Sequence, residues 1–277
     1  MRFGLATKRN YTKQKAGSIN NTTMNENPCL IEIATADLET TRQAVAGGAD
    51  RIELCANLGD GGTTPAYGTL RVCRAAFELP IFPIIRPRAG DFLYTADEFQ
   101  TMRYDIELVK SLGFDGVVIG LLLPDGQIDL PRTDVLRELA YPMEVTFHRA
   151  FDRCLDPEKA LEQLISIGID RVLSSGQAWT APEGIDLLTV LQKQANGRIV
   201  IMPGSGVRPD NIQALRQKTG CHEFHSSLRG WKDSAMQFRH PNFVQRTESY
   251  RNPNIDPDQV KQMREERGWK MEDGRLG

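Results

Sequence analysis

Residues 143–167 hold one complete structural unit: Met143-Glu144-Val145-Thr146-Phe147-His148-Arg149, a polar connection ending in Asp156-Pro157-Glu158, and the apolar stretch Leu161–Ile167. The first segment alternates Met143, Val145 and Phe147 with Glu144, Thr146 and His148, the period of a strand. Asp156 is a capping acid, and Pro157 suits the first turn of a helix. Strand, punctuation and capped helix follow one another within a single βα unit.

The same unit recurs in both directions. Candidate strands are Leu30–Ala34, Arg51–Ala56, Ile81–Arg86, Gly116–Leu122, Met143–Arg149, Arg171–Ser175, Arg198–Met202 and Glu223–Ser227, with starts about 21 to 35 residues apart. Eight βα units averaging about 28 residues approach the roughly 250 residues of a closed (β/α)8 barrel. A doubly wound open sheet shares the alternation, but the number eight favours the barrel. The expected fold class is therefore α/β, a single (β/α)8 TIM-type barrel over 28–268, closed by a thin helix near Pro257–Arg267. Residues 269–277 read as a tail.

The 277 residues carry 34 Lys and Arg against 36 Asp and Glu, with 40% hydrophobic residues. That balance excludes a protein whose main work is neutralising phosphates on nucleic acid. No apolar run reaches the roughly 18–20 residues of a membrane-spanning helix. Five scattered cysteines without a CxxC pair indicate neither a disulfide framework nor a zinc ribbon, so reduced thiols in a cytoplasmic setting are expected. Residues 1–27 stand apart, with Arg2, Lys8, Arg9, Lys13 and Lys15 against Glu26 alone. They read as a disordered leader, with a transit peptide as the alternative. This segment carries +4, leaving −6 for the remainder.

Strand parity then separates the two faces. Ile31 and Ile33 belong to the helix side, which turns Glu32 and Ala34 toward the axis. Arg51, Glu53 and Cys55 follow on the second strand, Glu144, Thr146 and His148 on the fifth, and Glu223, His225 and Ser227 on the eighth. An interior this charged must be paired, because a buried ion costs several kcal/mol otherwise. One reading is purely structural, with Glu32, Glu53 and Glu144 paired to Arg51 and Arg86. The other gives the strand ends, which open onto the face where barrel enzymes place their chemistry, a functional role. On that reading Glu32, Glu53, Arg86, His148 and His225 form a catalytic set, with carboxylates and imidazoles for acid–base work. Arg86 and Arg88 would grip an anion. The loop Gly204-Ser205-Gly206, with Ser174 and Ser226 nearby, stands where barrels of this class commonly hold a phosphate. The glycine-rich loops Gly59–Pro65 and Ala89–Tyr94 should overhang the same mouth.

Arg51-Ile52-Glu53-Leu54-Cys55, Gly61-Gly62-Thr63-Thr64-Pro65, Ile85-Arg86-Pro87-Arg88, Gly90-Asp91-Phe92-Leu93-Tyr94, Thr146-Phe147-His148-Arg149-Ala150-Phe151-Asp152 and Ser174-Ser175-Gly176 together resemble the CutC family of copper homeostasis proteins, from about residue 29 to about residue 265. The resemblance implies a (β/α)8 barrel in the cytoplasm, forming a homodimer or higher homo-oligomer. It also implies a link to copper tolerance with Cu(I) as the bound ion and Cys55 as its metal residue. No accepted reaction comes with the family name. Ala34 stands where family members often carry a cysteine, so Cys55 would need Met202 or His148 to complete a soft site. Two readings stay open: a Cu(I)-binding protein of copper homeostasis, or a barrel enzyme acting on a small anionic or phosphorylated metabolite.

Overall fold

A computed structural model describes residues 29–243 and 250–266. The expected leader 1–27 and tail 269–277 lie outside the described residues. Eight parallel strands follow the chain in order: β1 Leu30–Thr35, β2 Arg51–Leu54, β3 Ile81–Pro83, β4 Gly116–Ile119, β5 Glu144–Phe147, β6 Arg171–Ser174, β7 Val200–Pro203 and β8 Glu223–Ser226. They hydrogen-bond in two arcs, β3-β2-β1-β8 and β4-β5-β6-β7. The arcs meet at a parallel bridge between Ile84 and Val118, where the Ile85 amide donates to the Val118 carbonyl at 2.8 Å. On the far side β7 packs beside β8. Each strand falls within three residues of its expected bounds, β3 and β4 ending three residues early. The result is the (β/α)8 fold.

The helices are α1 Leu38–Ala46, α2 Tyr67–Ala76, α3 Ala96–Ser111, α4 Leu130–Ala140, α5 Pro157–Ser166, α6 Ile185–Ala195, α7 Ile212–Thr219 and α8 Pro257–Glu266. Local chemistry starts them. Asp156 accepts from the Lys159 amide ahead of Pro157 in α5, as its sequence predicts. Thr95 and Glu98 form a reciprocal capping box on α3. The apolar parity of each strand meets the inner faces of these helices, and Ile31, Ile33, Ile52, Leu54, Phe147 and Phe224 are all fully buried there. Charged residues are thereby left for the axis.

One element escapes the sequence reading. Arg229–Asp233 (β9) pairs antiparallel with Arg251–Ile255 (β10), directly after the eighth strand. Neither segment alternates, and β10 contains Pro253, a residue that argues against a strand. What fixes the hairpin is tertiary. Gln43 on α1 donates to Asn254 Oδ1 at 3.0 Å and accepts from the Ile255 amide at 2.9 Å.

Candidate functional site

Register assembles the ionic core. In the β1–β2 ladder Glu32 stands opposite Arg51, and in the β1–β8 ladder it stands opposite His225. Glu32 is completely buried. Arg51 Nε donates to its Oε2, and His225 Nδ1 lies 2.8 Å from its Oε1. Arg51 reaches Glu223 at 2.6 Å, Arg171 reaches the same carboxylate at 2.5 Å, and Arg171 also contacts Glu144 at 3.2 Å. Phe82 lies against both guanidiniums, 5.1 Å from Arg51 and 5.6 Å from Arg171. A structural network of the expected kind is present, but its membership differs. Arg171 and Glu223 belong to it, and Glu53 and Arg86 do not. Glu144 sits at its rim rather than inside, with 54% of its side chain exposed.

Above that network runs a second line, Glu32–His225–Glu53–Cys55. His225 Nε2 is 3.7 Å from Glu53 Oε2, and the Cys55 thiol donates to the same oxygen at 3.4 Å. Burial would raise the Glu32 carboxyl, but the Arg51 charge and the His225 bond outweigh it and hold Glu32 well below the usual carboxylate range. Glu53 has no guanidinium against it, and burial pushes its pKa up. Burial also works against a charged His225, yet Glu53 and Glu32 on either side raise its pKa overall. For Cys55, burial and the neighbouring Glu53 both push the thiol up. A carboxyl held low, an imidazole raised by its two acidic neighbours and a carboxyl raised by burial therefore stand in series.

Glu53 and His225 form part of the wall of a cavity of about 760 Å³ at the C-terminal ends of the strands. Its charged lining comprises Arg86, Arg149, Arg153, Arg208 and Arg229 against Glu53, Asp60 and Asp152. Asp152 is consumed by the protein: it accepts from Ser174 Oγ at 2.5 Å, from the Ser175 amide and hydroxyl, and from Arg149 at 2.7 Å. Among the described residues, Arg153 and Arg208 make no ion pair. Cationic charge is left over at the mouth.

The candidate residues distribute as follows. Glu32, Glu53 and His225 come together as described, and Arg86 and His148 each lie near the Phe92 ring, at 5.0 and 4.9 Å. Ser205, Gly206 and Ser226 line the cavity. Ser205 and Gly206 adopt φ of 72° and 71°, the left-handed turn that aims a loop's backbone back over the strand ends. Gly204 supports them from behind, since a Cβ there would fall 2.3 Å from Leu173 Cδ1 and 3.3 Å from His225 Cβ. Ser174 is tied to Asp152 and to the Gly176 amide. Arg88 is not brought to the cavity. It pairs with Glu98 and Asp91 and donates to the Leu93 carbonyl, holding the Ala89–Tyr94 loop. Arg86 likewise serves loops, donating to the carbonyls of Asp60, Gly62 and Gly90. Arg153, Arg208 and Arg229 escaped the sequence reading, whereas Phe92 lines the cavity from the Ala89–Tyr94 loop expected to overhang it. Arg208 lies two residues beyond the expected anion loop, which was the available signal.

Cys55 lies under the Gly59–Pro65 loop, where a Cβ on Gly62 would come within 3.1 Å of its sulfur. Neither expected helper completes a soft donor set. Met202 Sδ is 3.3 Å from the Arg51 guanidinium, and His148 Nδ1 accepts from the Ala150 amide at 3.1 Å. Among the described residues no group of three or more His, Cys, Asp and Glu could hold a metal ion. A lone thiol held protonated beside a carboxyl does not fit Cu(I), which favours thiolate and thioether ligands.

Fold and site together define a (β/α)8 barrel protein with an ionic interior and an arginine-rich cavity at the C-terminal ends of its strands. Residues 29–230 match the CutC family, and the chain belongs to it. A CutC family protein of Chromobacterium violaceum is 54% identical over 210 residues, covering 76% of this chain and 85% of its own. The human copper homeostasis protein cutC homolog is 47% identical over 213 residues, 77% of this chain and 78% of the human protein. A solved CutC structure from Streptococcus agalactiae superposes with a TM-score of 0.69 at 32% identity, covering 72% of this chain and 98% of that one. Among the described residues, no helix is long and apolar enough to cross a membrane.

Proposed function

We propose that this CutC family member is an enzyme acting on a small anionic metabolite at the barrel mouth. The observation that carries the reading is Glu53: a carboxyl raised by burial, coupled to His225 and Glu32, and opening onto a cavity whose unpaired charge is cationic. A buried carboxyl raised in this way is suited to taking and returning a proton as a general base. Arg208 and the loops carrying Ser205, Gly206 and Ser226 would seat the anionic group, a phosphate by preference. Inorganic phosphate and phosphorylated sugars are expected to raise the melting temperature. Arg208→Ala, which breaks no ion pair of the fold, should weaken phosphate binding about tenfold. If no anion among phosphates and carboxylates stabilises the protein, the reading is wrong.

The second reading is a part in copper homeostasis, with Cu(I) held in the cytoplasm by a self-associating barrel. Family membership and the name of the human relative favour it. The donors around Cys55 do not, so any such part would run through the metabolite rather than a soft-metal centre at this cysteine. Titration of the reduced protein with Cu(I) against a competing chelator should give the same affinity for wild type and Cys55→Ala. Markedly tighter binding by the wild type would restore Cys55 as a ligand.

A further inference from the structure

A second pocket, of about 220 Å³, adjoins the arginine-rich cavity and shares wall residues with it, among them Ala34, Leu58, Ser227 and Arg229. Strand register places that shared wall beside the proposed chemistry. Ala34 stands opposite Glu53 in the β1–β2 ladder, and Ile33 stands opposite Ser226 in the β1–β8 ladder. One residue further along each strand, Ala34 and Ser227 line both spaces. Neighbouring strands lie about 4.8 Å apart, so a group seated over Ala34 is one strand from Glu53 on one side and one strand from Ser227 on the other. Ala34 itself contributes only a methyl group to the shared wall.

The chemistry of the side pocket differs from that of the cavity. Its further walls are Ala36 ahead of α1, Trp231 on β9, and Pro253 and Ile255 on β10. Polar groups at its edge already have partners. Thr40 Oγ1 accepts from the Ala36 amide at 2.9 Å, Asn57 Nδ2 donates to Thr63 Oγ1 at 3.0 Å, and Asn254 Oδ1 accepts from Gln43 at 3.0 Å. What the pocket offers a ligand is therefore apolar surface. The hairpin forming its outer wall is held in place: Trp231 pairs with Pro253, Gln43 bonds Asn254 and Ile255, and Arg229 donates to the Leu58 carbonyl at 2.7 Å. Trp231 is nevertheless 58% exposed, so part of a large aromatic surface is left to be covered.

We propose that the side pocket is a subsite for an apolar arm of the substrate, so that the metabolite is a phosphorylated compound carrying a short alkyl or aryl group. The inference rests on the anion-binding reading above and narrows its substrate class. An anion alone would leave water standing against apolar walls one strand from Glu53. An arm of butyl or phenyl size has room in a pocket of this volume and gains by leaving water. The β9–β10 hairpin, an addition to the eight βα units, then sets specificity by supplying Trp231, Pro253 and Ile255 as a wall.

Methyl phosphate and n-butyl phosphate share the anion and differ by three methylenes, each worth roughly fourfold in affinity when buried. Isothermal titration should show the wild type binding butyl phosphate at least about tenfold more tightly than methyl phosphate. Ala36→Leu fills the side pocket and Trp231→Ala removes its outer wall, and neither position lines the arginine-rich cavity. Both variants should keep the methyl phosphate affinity and lose most of the butyl advantage, with Trp231→Phe retaining part of it. Equal binding of the two esters by the wild type, or an advantage that survives both variants, overturns the apolar subsite and leaves the anion site standing. Failure of the wild type to bind either ester removes the anion reading and this inference with it. Tryptophan fluorescence gives a readout separate from affinity. Butyl phosphate should change the emission, and shield it from iodide quenching, beyond the effect of methyl phosphate, and Trp231→Phe should abolish that difference. A difference that persists in Trp231→Phe places the arm away from the hairpin and overturns the assignment.

Discussion

Arg51→Met is expected to cost about 3–5 kcal/mol of stability, the loss typical of removing one partner from a buried ion pair. That is a large share of the roughly 5–15 kcal/mol by which a domain is stable. Arg51 is 3% exposed and bonds two carboxylates at once, Glu32 and Glu223. Methionine replaces most of its apolar stem, so the loss reports charge rather than volume. Glu223 keeps Arg171, but Glu32 keeps only His225. Urea denaturation is the measurement, and Arg51→Met with Glu32→Gln should recover part of the loss by removing the stranded carboxylate. The exposed pair Arg198–Glu162, at 45% and 47% side-chain exposure, is the natural comparison. Its disruption should cost less than about 1 kcal/mol. An equal cost at both sites would show that burial does not set the strength of the Arg51 cluster.

The contrast between these two pairs also explains what could be read in the chain beforehand. Strand parity places Glu32, Glu53 and His225 inward because their neighbours Ile31, Ile52 and Phe224 must bury themselves against helices. A period of two leaves no other face. Parity says nothing about partners, however. Arg86 reads as a substrate clamp from its position, yet its guanidinium is taken by carbonyls at residues 60, 62 and 90, from loops that carry no periodicity. Arg88 reads as its companion and instead braces Glu98 on α3. Arg171 opens a strand like any solvated rim arginine, and only the closure of the fold brings Glu223 to it from two strands away. The hairpin of β9 and β10 depends on Gln43, some two hundred residues earlier. Partners set by closure and by loops are legible only in three dimensions.

Glu53→Gln should leave the fold intact and slow the proposed proton transfer by about 10²–10⁴-fold, the range spanned by loss of a positioned general base. The amide keeps the shape of the carboxyl and accepts the Cys55 thiol hydrogen bond, but it cannot take a proton. Because burial penalises the charged form of Glu53, its neutral replacement meets a smaller desolvation cost, and stability should change little. Incorporation of solvent deuterium into a phosphorylated metabolite that the cavity binds, followed by NMR, measures the step. The pH profile gives a second handle. The rising limb should lie above the ordinary glutamate pKa, since Glu53 must ionise against burial. His225 is raised partly by Glu32, so Glu32→Gln should lower it and move the falling limb to lower pH, with both limbs belonging to the coupled pair rather than to either residue. Wild-type exchange rates in Glu53→Gln would remove this carboxyl from the chemistry. An unmoved falling limb in Glu32→Gln would separate His225 from it.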